Sequence, residues 1–164
     1  LRTSYFRLQS GFTLIEVIIA VFIVTVGVLG SFSVIQQVIA YTSNSSNRLI
    51  AAYLAQEGIE IARNIRDSNW LKDDNWQTGL ANCEAPNGCE ADYNSQNLSV
   101  YASRYLKINS GFYNYNSGTD TKYKRKITIT PDGTDILKAL VLVEWQERGI
   151  AKQFSAQENL YNWK

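Results

Sequence analysis

A single carboxylate, Glu16, stands inside an apolar run that extends from Phe12 to Gly30. The residues before it in that run, Phe12-Thr13-Leu14-Ile15, supply no side-chain cation, and an ionised group near the centre of a bilayer-spanning helix costs on the order of 2.5–3.5 kcal/mol, less near an end. The chemistry open to Glu16 is ion pairing, and its partner must come from outside the run. Few other residues offer chemistry. Cys83 and Cys89 enclose a short turn-forming stretch, Pro86-Asn87-Gly88, that lets the chain double back. They can form a disulfide, remain free thiols or bind a metal; an extracytoplasmic location favours the disulfide. Phe112, Tyr113 and Tyr115 lie among Asn, Ser and Gly, so they either offer an adhesive surface or pack locally within a hairpin loop. Asp132 and Asp135 flank Gly133 in what reads as an ordinary turn, with too few oxygen ligands for calcium.

Composition narrows the chemistry further. The 164 residues include no histidine, the commonest general base and metal ligand. No nucleophile motif, phosphate-cradling glycine loop or zinc-spaced cysteine set is present. Catalytic residues, metals and cofactors are therefore not expected, and an enzyme is improbable. Sixteen basic residues against fifteen acidic ones give no electrostatic footprint for nucleic acid. The sequence contains no Met, so its N-terminal stretch is expected either to be incomplete or to start at another codon.

The elements that must position these residues follow in chain order. Residues 12–31 are long and apolar enough to cross a bilayer, which needs about 20 residues of helix. Arg2 and Arg7, the only charges before them, place the N terminus on the cytoplasmic side and the rest of the chain outside. Residues 32–66 keep a helical period, with Ile50, Leu54, Ile61 and Ile65 on one face to be buried. Neither Gly27 and Gly30 nor the poor helix formers Thr42 to Asn47 are expected to end the helix, because the apolar period resumes beyond them. Asp67-Ser68-Asn69 is expected to stop it, and residues 67–97 read as an irregular connection holding the cysteines. Strands are expected at Leu98–Ile108, Lys122–Thr130, Ile136–Gln146 and Ile150–Gln157, with Arg148-Gly149 as a hairpin tip. The fold class is α+β: one long helix, part membrane-spanning and part amphipathic, packed on a roughly four-stranded antiparallel sheet formed by residues 98–164.

Gly11-Phe12-Thr13-Leu14-Ile15-Glu16, with its short basic leader and following apolar helix, resembles the N-terminal signature of type IV pilins and of the pseudopilins of type II secretion. The resemblance implies a leader of residues 1–11, cut by prepilin peptidase between Gly11 and Phe12, with N-methylation of Phe12. Glu16 would be the assembly carboxylate, paired with the Phe12 amine of a neighbouring subunit. Softer matches at Leu54–Glu60, Asn64–Asp67, Val143–Gly149 and Asn159–Trp163 resemble minor pilins of the pilus modification type. The partners implied are other pilin or pseudopilin subunits, prepilin peptidase, the pilus assembly platform and membrane lipids. The subunit would be held in the cytoplasmic (inner) membrane by one span with its head outside, then enter a cell-surface or periplasmic filament. A pseudopilin of a secretion or competence system is the nearest alternative, and a non-polymerising single-pass binding protein is the alternative of another class.

Overall fold

The computed structural model describes residues 11–163. The chain divides after Ser43 into an N-terminal helical unit and a head. Helix α1, Leu14–Leu71, contributes to both. In the N-terminal unit every residue from 11 to 39 is exposed. Its few hydroxyls are satisfied within the helix: Thr25 Oγ1 donates to the Val21 carbonyl at 2.7 Å and Ser31 Oγ to that of Gly27 at 2.8 Å. Such back-bonding lets polar side chains sit in hydrocarbon without unsatisfied donors.

In the head, α1 buries Ala51, Leu54, Ala55, Ile59, Ile61, Ala62 and Ile65, while Ile50 is half-buried. The helix runs past the stop expected at Asp67-Ser68-Asn69 because tertiary partners engage its last turn. Asn69 Nδ2 donates to the carbonyls of Trp76 and Thr78 at 3.2 and 2.8 Å. Trp70 packs edge-on against Trp163 at 4.4 Å between centroids, with the Arg66 guanidinium over its ring.

The remaining elements are strands β1 (Cys89–Glu90), β2 (Ser99–Val100), β3 (Lys107–Asn109), β4 (Phe112–Asn114), β5 (Thr119–Asp120), β6 (Lys124–Pro131), β7 (Ile136–Glu147) and β8 (Ile150–Tyr161). They form a five-stranded sheet in the order β2-β1-β6-β7-β8 and a small sheet in the order β4-β3-β5, with every pairing antiparallel. The α+β arrangement of helix on antiparallel sheet is as expected, but two details differ. The connection 67–97 contributes β1, which inserts between β2 and β6. The strand expected over Leu98–Ile108 is broken into β2 and β3, because Ser103 takes a left-handed φ of 58° that extended pairing does not tolerate. Tyr101 and Tyr105 of the intervening strap lie under the ammonium groups of Lys126 and Lys124.

Strand alternation explains the core. Ile127 and Ile129 of β6, Leu137, Ala139, Val141, Val143 and Trp145 of β7 and Leu160 of β8 are buried. β7 and β8 pair without interruption from Ile136↔Tyr161 to Glu147↔Ile150, closed by Arg148 (φ 51°) and Gly149 (φ 79°). Two positive φ values in a two-residue loop are the type I′ geometry that matches strand twist. The helix approaches β7 closely at Gly58, where a Cβ would lie 2.8 Å from Val141 Cγ1 and 3.2 Å from Arg125 Cδ. Gly58→Ala gains up to about 1 kcal/mol of helix propensity but overpacks this contact at a cost of about 1–3 kcal/mol. A net loss of about 1 kcal/mol in denaturant unfolding is expected, and a gain would refute the close approach.

A fully buried cation lies within this core. Arg125, fully buried, donates from Nη1 to the Leu54 carbonyl (3.0 Å) and Glu57 Oε2 (2.7 Å), and from Nη2 to the Ala91 carbonyl (2.5 Å). One guanidinium thus ties α1 to β6 and to the segment after β1. Nearby, Tyr115 donates its hydroxyl to the Arg125 carbonyl, and Tyr123 reaches the backbone and side-chain oxygens of Asn47. Burial pushes both phenols up to about 12 from 10.0; at Tyr115 it outweighs the opposing Arg125 cation. The unfolded chain therefore loses these protons first as pH rises. Stability is expected to be intact below about pH 10 and to fall between 10 and 12. The Tyr115 and Tyr123 ring signals, followed individually by NMR, should titrate only as the head unfolds, and both titrating near 10 in a folded head would contradict this.

Candidate functional site

The N-terminal end of α1 is built by local capping. Thr13 accepts from the amides of Glu16 and Val17 through its carbonyl at 3.1 and 3.2 Å, and its Oγ1 accepts from the Glu16 amide at 3.3 Å. Thr13 is thus the N-cap and Glu16 the third helical residue, the Thr-x-x-Glu spacing of a capping box. An acid in this first turn also meets the positive end of the helix dipole, worth about 0.3–1 kcal/mol. Among the described residues the Glu16 carboxylate has no ion-pair partner. Phe12, immediately before the cap, is 82 % exposed. Gly11 is exposed too, and its Cα has open space around it. Arg2 and Arg7 fall outside the described residues.

The exposed apolar surface that begins at Phe12 is longer than a bilayer requires. Large side chains from Phe12 through Phe32, Val34, Ile35, Val38 and Ile39 are exposed. Residues 12–39 span roughly 42 Å at ~1.5 Å per residue, against a hydrocarbon core of about 30 Å. Lipid alone leaves part of this surface in water, and packing against other apolar helices would cover it.

The other sequence-selected residues lie in the head. Cys83 and Cys89 are joined, with Sγ atoms 1.97 Å apart and Cα atoms 5.1 Å apart. Cys89 pairs with Val100 and Ile127, while the Cys83 carbonyl accepts from the Ile129 amide, so the bridge fastens the connection to β6. Phe112 is exposed and Tyr113 half-buried, but Tyr115 is buried beneath the Arg104 guanidinium. Tyr115 is thereby removed from any adhesive surface, because its ring and hydroxyl face the core. Asp132 pairs with Lys138 at 3.7 Å, and Asp135 accepts from Thr134 and Asn162.

Sequence reasoning missed Arg125. Arg125 shares the alternation phase of the inward Ile127 and Ile129 in the expected strand Lys122–Thr130, and that phase was the available signal. It also missed Glu90, buried to 1 % exposure and held by Arg104 Nε at 2.5 Å and the Ala102 amide at 3.2 Å.

Residues 6–32 match the prokaryotic N-terminal methylation motif. Neither curated proteins nor solved structures give a match. The matched stretch contains Gly11, Phe12, the Thr13 cap, Glu16 and the first turns of the exposed apolar helix. The chain therefore carries the type IV prepilin signature, the N terminus shared by type IV pilins and pseudopilins.

Proposed function

We propose that this chain is a structural subunit, a minor pilin, of a type IV pilus-like filament. Prepilin peptidase removes residues 1–11, Phe12 becomes the N-methylated N terminus, and residues 12–31 hold the subunit in the cytoplasmic membrane until assembly. Residues 32–66 continue as the amphipathic half of the helix, residues 67–97 connect, and residues 98–164 complete the head outside. The observation that carries this reading is one carboxylate, without an ion-pair partner among the described residues, in the first turn of an apolar helix matching the methylation motif. Cleavage would place a cationic amine at Phe12, and a neighbouring subunit's Glu16 is the anion to meet it in low dielectric, where attraction is several times that in water. The partners are other pilin subunits and the assembly platform, and the role is structural rather than enzymatic. A pseudopilin would share the same N terminus; recovery from sheared surface filaments distinguishes the pilus reading from it.

The test is the mass of the N-terminal residue in protein from membranes and from sheared filaments. Methylated Phe12 in both fractions is the expected result. An intact leader in cells that contain prepilin peptidase would overturn the proposal and leave a plain membrane anchor.

A further inference from the structure

A groove of about 590 Å³ lies in the head between the second half of the α1 residues there and the loop 93–97. Its volume falls in the range of small-molecule sites, about 300–1,000 Å³. Ile61 and Ile65 contribute an apolar floor. The loop is fixed from within: the Asp92 amide donates to Ser95 Oγ at 3.0 Å, the Ser95 amide returns to the Asp92 carbonyl at 2.9 Å, and Asp92 Oδ2 accepts from the buried Tyr115 amide at 3.3 Å. These bonds use the loop's backbone and its inward side chains. They leave the exposed amide side chains of Asn94, Gln96 and Asn97 lining the groove with no partner among the described residues. Across the groove, Asn64 accepts from Ser68 through Oδ1, and its Nδ2 has no partner among the described residues.

The chemistry of this wall is selective. Its carboxylates are already engaged, Glu57 by Arg125 at 2.7 Å and Glu60 by Arg63 at 2.6 Å, and Lys72 is the one charged lining residue outside an ion pair among the described residues, a further donor to a hydroxyl. Each free primary amide presents both a donor and an acceptor. A sugar hydroxyl is likewise both. Tyr93 adds an aromatic face, 45 % exposed and backed by Phe112 at 5.1 Å between centroids, which holds the ring as a wall. Apolar C–H faces of a pyranose complement such a ring. We infer that this groove binds a neutral saccharide of one or two hexopyranose rings, with Asn64, Gln96 and Asn97 meeting hydroxyls and Tyr93 stacking. The inference concerns the head alone and does not depend on filament assembly.

The experiment is saturation-transfer NMR on the full chain in lipid nanodiscs, with maltose, cellobiose, lactose and N,N′-diacetylchitobiose as probes. Transfer to the ring protons of at least one disaccharide is expected. Gln96→Ala and Asn97→Ala should each weaken it about fivefold, the worth of one neutral hydrogen bond. Tyr93→Phe should preserve the stacking and most of the affinity. Both amide positions are exposed, so the variants are expected to unfold at the wild-type denaturant midpoint, which rules out a folding defect. No transfer from any of the four probes, or transfer unchanged in both amide variants, would overturn the inference.

Discussion

Glu16→Ala subunits are expected to enter filaments at least tenfold less well than wild type while remaining equally abundant in the membrane. Three magnitudes set the asymmetry. An ion pair at about 4 Å is worth up to about 4 kcal/mol at an effective dielectric near 20, and every assembled subunit would lose it. Within the chain, by contrast, Glu16 contributes only the about 0.3–1 kcal/mol of an acid in a helix's first turn. Membrane insertion becomes easier when a charge is removed. Folding and insertion therefore tolerate the change and assembly does not. Immunoblots of sheared filaments against membranes measure the ratio. Glu16→Gln isolates the charge, because it keeps a capping side chain of the same shape; normal filament entry by this variant would remove ion pairing from the account.

The head should fail differently. Arg125→Ala is expected to destabilise it by about 3–5 kcal/mol, the usual cost of leaving one member of a buried charged pair behind. The guanidinium satisfies Glu57, the Leu54 carbonyl and the Ala91 carbonyl at once, and none of the three has a replacement donor in alanine. Against a typical total of about 5–15 kcal/mol, such a loss brings the head near its threshold. Arg125→Lys should also be costly, since one ammonium cannot reach acceptors on both sides as the planar fork does. Denaturant titration of the full chain in detergent, read by tryptophan fluorescence, gives the difference. A change below about 1 kcal/mol for the alanine variant would show that the buried contacts carry no net stability.

Legibility in the sequence tracked how far each element depends on its own pattern. The helix could be read through Gly27, Gly30 and Thr42–Asn47 because apolar residues resume in phase, and one weak position costs at most about 1 kcal/mol. Its end could not, because Asn69 and Trp70 are held by Trp76, Thr78 and Trp163, contacts that exist only after folding. β6, β7 and β8 announced themselves by alternation and by Arg148-Gly149. β1 did not: two residues carry no period, and Cys89 and Glu90 are in a strand because β2 and β6 flank them. At the candidate site, Gly11, Phe12 and Glu16 were legible as local chemistry, whereas the fate of Tyr115 depended on Arg104 and Arg125, neither of which is its sequence neighbour.

The topology also orders events in time. The face of α1 from Ala51 to Ile65 leaves the ribosome before the strands that cover it, β6 to β8, which come from residues 124–161. Until they arrive the helix has no sheet to rest on, and exposed apolar surface in such an intermediate invites aggregation. The β7–β8 hairpin can close as soon as its own residues are free, since its contacts are local. Docking the finished hairpin onto the waiting helix then becomes the committing step, so a chain cut short within β8 would lose the cover for a helix it had already completed.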